Sequence, residues 1–474
     1  MRKQTKLVAV LSTAALLAIG ASMTSFAATG WVEEDGTWVY YNRDEDRVTD
    51  EWRRSGDNWY YLDSDGEMAV DQLIEDDDDY YYVNESGAMV TNQWVAIENE
   101  DAGDEDEPDS YWYYFQANGK AYKRPDSASE DAISARTING ERYGFDRYGR
   151  MIASWYTTAS LSDSEASQNN ATYSSSFRYF NNPEDGARVT RGWFRVVPGY
   201  YLEEDEYNDG SDYWYYADGN GYLYSNEIRS INGRRYAFNE NGRMLDGLVL
   251  LQMEERENST SENPRYDSTD IYQKWDDDSQ YNYETEDDFD ELVKDRAKEF
   301  STGQFRFYYF GDEDDGSMKT GRQAVELDGE DYTFNFRDSS SRGQGIHGID
   351  DHKIYAGGKL IEADSDDRYQ IVVYTVSNED GVEVTTMEKM DTDDFLDAYC
   401  YEVTDEDDPD YDEDETLWRV RSTDNEEDAD GKEVHFYLVN TSGSMVRNSS
   451  SSKDGDDYKF EVDDYEIVSV TLED

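Results

Sequence analysis

The sequence predicts an all-β chain: short β-hairpins stacked one on the next, a small β-rich C-terminal part, and one or two short helices. Three observations carry this. A motif recurs every 21 residues, each copy alternates outward and inward positions before an acidic turn and a glycine, and a single cysteine, Cys400, leaves the fold to packing.

The period is read from GDNWYYLDSDGEMAV, residues 56–70. Counting from Trp59, Tyr61 lies two residues on, Gly66 seven and Met68 nine, and Tyr80, Tyr82, Gly87 and Met89 repeat those offsets 21 residues later. Trp38 and Tyr40 lie one step earlier. The residues leading each unit, Trp31, Trp52, Leu73 and Trp94, are again 21 apart.

Each unit has a local physical reading. Period-2 alternation puts Trp59 and Tyr61 on one strand face and Tyr60 and Leu62 on the other, and aromatic residues suit a pleated, half-buried surface. Asp63 to Gly66 then turn the chain, since Asp bonds to the nearby backbone and Gly accepts positive φ. One hairpin alone is marginal in water, whereas a stack of hairpins buries a continuous apolar column between neighbours.

Downstream the phase breaks but the offsets persist, in YWYYFQANGKAY, RYGFDRYGRM, YWYYADGNGYL, RYAFNENGRM, FYYFGDEDDGSM and, near the C-terminus, HFYLVNTSGSM. The expected organisation is a signal peptide at 1–27, strict repeats at 28–125, degenerate aromatic repeats at 126–250, an acidic spacer with a short helix at 251–305, further repeat-like hairpins at 306–364, and a β-rich region at 365–474 with one repeat-like hairpin. The helix is read from TEDDFDELVKDRAKEF, where Phe289, Leu292, Val293 and Phe300 keep helical spacing and acids precede bases. A second short stretch, MEKMDTDDFLDAYCYEV, reads as a helical turn running into a strand.

GWVEEDGTWVYYN, EWRRSGDNWYYLDSDGEMAV and their 21-residue step resemble the choline-binding, or cell-wall-binding, repeats of Gram-positive secreted proteins, and the looser units resemble the related glucan-binding repeats. The resemblance implies a β-solenoid of hairpins that binds choline groups of teichoic acid, or a glycan, between the aromatic residues of consecutive units. It implies one box from Trp31, Trp38, Tyr61 and Met68 and a second from Trp52, Trp59, Tyr82 and Met89. The next unit departs from the pattern, with Leu73 and Tyr80 replacing its tryptophans, and Arg142 and Arg235 stand at the hairpin tryptophan position of the looser units. The chemistry agrees: a quaternary ammonium donates no hydrogen bond and is held by the negative faces of aromatic rings. Packing is the competing account of the same residues. Most of the 41 tyrosines and 17 phenylalanines are expected in the core, and for Trp31, Trp38, Trp52 and Trp59 ligand contact and core packing stand side by side.

The N-terminal Arg2, Lys3 and Lys6, the apolar run Leu7 to Ile19 and the small residues near Ala27 read as a secretory signal. Its removal takes the net charge from −68 to −71, which argues against nucleic acid and anionic membrane as partners. Zwitterionic choline-bearing polymer and neutral glycan remain compatible partners, and a homodimer is allowed. The expected location is outside the cell, held noncovalently on the bacterial cell wall. Acidic runs such as Glu75–Asp79, Asp101–Glu107 and Asp405–Glu415 read as solvated loops. No metal or cofactor is expected, since Asp63, Asp65 and Gly66, like Asp312, Asp314 and Gly316, do not complete a calcium loop. No catalytic residue is assigned either. The chain lacks a nucleophile elbow, a metalloprotease helix motif and a P-loop, Cys400 reads as a packed thiol, and His347 and His352 read as surface loop residues. The expected function is noncatalytic binding of cell-wall polymer. Its alternative is a wall hydrolase or host-directed adhesin whose active part is the divergent segment 251–474.

Overall fold

A computed structural model describes residues 29–99, 102, 108–125, 127–128, 134–157, 174, 176–261, 263–275, 281–365, 367–413, 415–421, 432–453 and 458–473. The expected signal peptide, and all of the 101–107 acidic run but Ala102, lie outside these. The chain divides into two compact units, residues 1–160 with 177–190, and residues 161–176 with 191–474.

The first unit is a succession of antiparallel hairpins: β1 (Gly30–Glu34) with β2 (Thr37–Tyr41), β3 (Glu51–Ser55) with β4 (Asn58–Leu62), β5 (Gln72–Asp76) with β6 (Asp79–Val83), β7 (Gln93–Glu98) with β8 (Ser110–Phe115), β9 (Arg136–Ile138) with β10 (Glu141–Tyr143), and β11 (Ser154–Thr157) with β12 (Phe177–Phe180). After β4 the Asp63 carboxylate accepts the N–H groups of Asp65 and Glu67 at 2.9 and 2.8 Å, and Gly66 turns at φ +75°. Asn84 and Asp146 repeat that turn after β6 and β10.

The chain then folds back on the preceding hairpin. The Met68 N–H donates to the Trp38 carbonyl at 2.7 Å, and Met89 to Trp59, Ala121 to Tyr80, Met151 to Trp112 and Arg188 to Arg142 each do the same at 2.8 Å. This bond joins each hairpin to the one before it and makes the array a solenoid. Leu62, Val83, Phe115, Phe145 and Phe180, at the ends of the second strands or just beyond, are fully or almost fully buried and form its apolar column.

The second unit opens with two more hairpins, β13 (Gly192–Val196) with β14 (Tyr213–Ala217) and β15 (Glu227–Ile231) with β16 (Arg234–Phe238). The expected spacer contains strands as well as helix: β17 (Leu248–Glu255) and β18 (Tyr266–Trp275) join β19 (Phe305–Tyr309) in a sheet ordered β16-β15-β18-β17-β19. Val249, Leu251 and Met253 alternate into its core beside Ile271, which explains why a polar stretch is held in a sheet. A second sheet, ordered β20-β21-β24-β23-β22, contains β20 (Gly321–Leu327), β21 (Glu330–Phe336), β22 (Gly348–Asp350), β23 (Lys353–Ala356) and β24 (Lys359–Leu360).

The C-terminal sheet contains β25 (Tyr369–Glu379), β26 (Val382–Met390), β27 (Cys400–Glu402), β28 (Glu415–Val420), β29 (Glu433–Asn440), β30 (Ser449–Lys453), β31 (Tyr458–Asp463) and β32 (Glu466–Glu473). The solenoid bond continues in this unit, from Met244 to Trp214, Met318 to Arg235 and Gly345 to Phe307 at 2.8 Å, and from Met445 to His352 at 3.0 Å.

Helices number four among the described residues: α1 (Glu204–Asp209), α2 (Glu286–Asp295), α3 (Ala297–Thr302) and α4 (Thr392–Tyr399), the last running directly into β27. The single helix expected around 286–300 is therefore two. Thr285 caps α2 through its hydroxyl, and at Arg296 the backbone leaves helical geometry, at φ −114° and ψ +27°. Phe289, Leu292, Val293 and Phe300 pack into one core cluster with Phe307 and Phe334, so the apolar stripe is spent on the fold. Among the described residues no helix is long and apolar enough to cross a membrane.

Candidate functional site

Antiparallel register fixes which side chains share a face. In the β3–β4 hairpin Trp52 pairs with Tyr61 and Arg54 with Trp59, while Arg53 pairs with Tyr60 on the opposite face. The next hairpin meets the Trp52 face with its own opposite face, so Ile74 and Val83 are buried with Tyr61, and Trp52 and Tyr81 pack against them.

At this junction the Trp52 ring lies 5.1 Å from Tyr61 and 5.2 Å from Tyr81, and its indole N–H donates to Asp76 at 3.1 Å. Trp52, Trp59, Tyr81 and Met89 line an open cavity of about 590 Å³, which Asp57 and Asn58 also line. Trp59 is 41% exposed. Burial raises the Tyr81 pKa, so the phenol is neutral and offers its ring face. Aromatic faces with carboxylates close by suit a small organic cation with no hydrogen to donate.

The preceding junction repeats the arrangement. Trp31 lies 5.4 Å from Tyr40 and 5.5 Å from Tyr60, and the Met68 backbone is bonded to Trp38. Its Trp31 indole nitrogen is buried with no acceptor, because Ser55 stands where the following junction has Asp76.

The structure brings Trp52, Trp59 and Met89 together and places Trp31, Trp38 and Met68 at the matching positions, but it does not place Tyr61 and Tyr82 as the sequence pattern suggested. Tyr61 is 9% exposed, a core residue against its own cross-strand partner Trp52. Tyr82 stacks on Phe115 at 6.0 Å in the next junction and donates to Asp71, and burial with that bond raises its pKa. The side facing the two tryptophans comes from the residue before each, Tyr60 and Tyr81. Stacking by translation sets unlike faces together, and unlike faces carry opposite parity.

Two further junctions have the same composition. Trp94 lies 4.8 Å from Tyr143, with Met151 bonded to Trp112. In the second unit Trp193 lies 4.7 Å from Tyr236 and 6.4 Å from Trp214, with Met244 bonded to Trp214. Insertions hide both from a count of 21, yet the glycine and methionine after each hairpin, Gly149 with Met151 and Gly242 with Met244, mark them. Arg142 and Arg235 take the tryptophan position at other junctions, as their backbone bonds to Arg188 and Met318 show. Between β5–β6 and β7–β8 the junction is a packed cluster of Leu73, Tyr80, Tyr113 and Ala121.

The groups considered for other chemistry have structural surroundings. Cys400 is buried, and burial pushes its thiol up to about 12, opposite to what a nucleophile needs. His347 is half-buried rather than fully exposed: it holds Thr385 O at 3.1 Å through Nε2 and accepts the Gly357 N–H at Nδ1, and desolvation pushes its pKa down to about 4. His352 stacks on Tyr465 at 4.9 Å. His435 bonds Glu466 at 2.8 Å, which raises its pKa.

A family model of the choline-binding repeat matches residues 48–94. Choline binding protein F from Streptococcus pneumoniae is similar at 15% identity over 93% of this chain and 99% of that one, with a TM-score of 0.33. The modular autolysin LytC from Streptococcus pneumoniae is similar at 15% identity over 72% of this chain and 54% of that one, with a TM-score of 0.34, so the chain spans about half of LytC. The choline binding domain of Spr1274 in Streptococcus pneumoniae shares 32% identity over 20% of this chain and 95% of that one, with a TM-score of 0.15. No curated protein matches. The matched residues 48–94 hold the β3–β6 hairpins and every residue of the Trp52, Trp59, Tyr81 and Met89 box, so this part of the chain carries choline-binding repeats.

Proposed function

We propose that the protein is secreted, noncatalytic and held on the bacterial cell wall by choline groups of wall polymer seated in the boxes between consecutive hairpins. The observation that carries this reading is the open cavity at Trp52, Trp59, Tyr81 and Met89, where an exposed tryptophan is held in place rather than buried. Each aromatic side supplies roughly 0.5–2 kcal/mol to a bound quaternary ammonium. Three sides then give a site of about millimolar affinity. Retention comes from several boxes engaging one polymer, through effective concentration rather than any new contact.

The test uses the full chain on purified cell-wall material with and without choline. Retention on choline-bearing wall, release by free choline and no loss of wall turbidity are expected. Equal retention on choline-free wall would replace choline with glycan as the ligand. Breakdown of the wall by the purified protein would overturn the noncatalytic reading.

A further inference from the structure

The junction between β5–β6 and β7–β8 departs from the others in a specific way. The Ala121 N–H donates to the Tyr80 carbonyl at 2.8 Å, the same bond that ties Met89 to Trp59, so Tyr80 holds the position of the exposed tryptophan. Leu73 stands in place of Trp52 and Ala121 in place of Met89, which removes two sides of the box. The remaining ring face is covered from within. The Lys123 ammonium lies 5.8 Å from the centre of the Tyr80 ring and donates to the Asp78 carbonyl, while Lys120 pairs with Asp79 on the same hairpin turn.

We propose that Lys123 is the built-in cation of this junction: its ammonium occupies the place over Tyr80 that a ligand's ammonium takes over Trp59. A small organic ammonium ion from solution takes that place when Lys123 loses its charge. The inference rests on the reading that the neighbouring boxes bind quaternary ammonium. A tethered ammonium outcompetes a free one because its local concentration is set by a short linker, in the millimolar range or above. It also makes a bond to Asp78 that a quaternary ammonium lacks the hydrogen for. The junction is therefore closed with or without ligand. It holds the boxes on either side, at Trp52 with Trp59 and at Trp94 with Trp112, in fixed register along one polymer.

The test is chemical rescue in the full-length chain. Lys123→Met keeps the apolar stem and removes the charge, and is expected to lower the melting temperature by about 2–4 °C. Methylammonium or tetramethylammonium at tens of millimolar should recover that loss beyond the shift it gives the wild type, whereas sodium at equal ionic strength should not. Lys120→Ala, at the same turn, should show only the wild-type shift. The double variant Lys123→Met with Tyr80→Leu should show no rescue. A Lys123→Met chain that melts like the wild type, or gains no more from ammonium ions than the wild type does, overturns the proposal. Failure of the binding reading is distinguishable: the wild type would then show no choline-dependent change in tryptophan fluorescence, while rescue of Lys123→Met is scored independently.

Discussion

The backbone N–H of Met89 donates to the carbonyl of Trp59 at 2.8 Å, so the residue at the floor of the box is bonded to the residue at its side one hairpin earlier. Met68 with Trp38, Met151 with Trp112 and Met244 with Trp214 repeat the pair. Propagation of the solenoid and formation of the box are one interaction. Spacing between floor and side is set by the backbone, which lets the side chains stay open to a ligand.

Trp59→Ala should therefore lose retention while keeping the fold. Trp59 is partly open to solvent, and its removal is expected to cost about 1 kcal/mol of stability. Tyr61→Ala removes a buried ring from the same face and should cost roughly 3–5 kcal/mol. Denaturant unfolding beside retention on choline-bearing wall separates the two. Loss of folding in Trp59→Ala with retention intact would mean the ring is core.

Deleting Leu73 to Gln93 removes one whole unit and should leave a folded chain. The Ala121 N–H then falls to Trp59 and Tyr113 takes the place of Tyr81, so the stitch is remade although the box loses its methionine. Deleting 73–83 alone removes the β5–β6 hairpin and leaves its turn without the strand that Met89 and Val90 bond to, at Val83 and Tyr82. Thermal transitions of the two variants should differ widely, and equal ones would refute a continuous solenoid.

The hairpins, their faces and the tryptophan and methionine positions were legible because a two-residue alternation and a 21-residue step both survive in the sequence. Tyr81 rather than Tyr82 lines the cavity with Trp59 and Met89, which the alternation leaves open, since it tells which residues share a face and not which face the next hairpin meets. The box at Trp94 and Trp112 was hidden by the long connection between its strands. The strands at 248–255 and 266–275 were missed because Glu254, Glu255 and Asp267 dominate the composition while the buried Leu251, Met253 and Ile271 are spaced along it. Arg296 ends α2 through backbone geometry that its side chain does not announce.

His347 gives a pH dependence with a definite sign. Its folded pKa is pushed down to about 4 by burial, against about 6.5 in the unfolded chain, so below pH 6.5 the unfolded state binds the proton and the folded state does not. Stability is fully present above 6.5 and falls as pH drops from 6.5 to about 4, by about 3 kcal/mol in all. His347→Gln keeps an amide donor toward Thr385 and removes the titration. The difference in unfolding free energy between wild type and variant should shrink across that window, and parallel curves would refute the assignment.

Gly119→Ala tests whether the floor of the main box is set from outside it. Gly119 turns at φ +84°, and a methyl group there would lie 2.4 Å from the Met89 sulfur and 2.7 Å from its terminal carbon. Left-handed backbone costs a non-glycine residue about 1–2 kcal/mol, and the contact adds a push on Met89 toward the cavity. Gly140, at φ +93°, has nothing within 4 Å of the same methyl, so Gly140→Ala carries the backbone cost alone. Gly119→Ala should lose more stability than Gly140→Ala, and it should also weaken choline quenching of tryptophan fluorescence several-fold. Adding Met89→Ala to Gly119→Ala should relieve the clash, so that the stability losses of the two substitutions add to less than their sum. Equal quenching in Gly119→Ala and Gly140→Ala would show that Met89 does not shape the box.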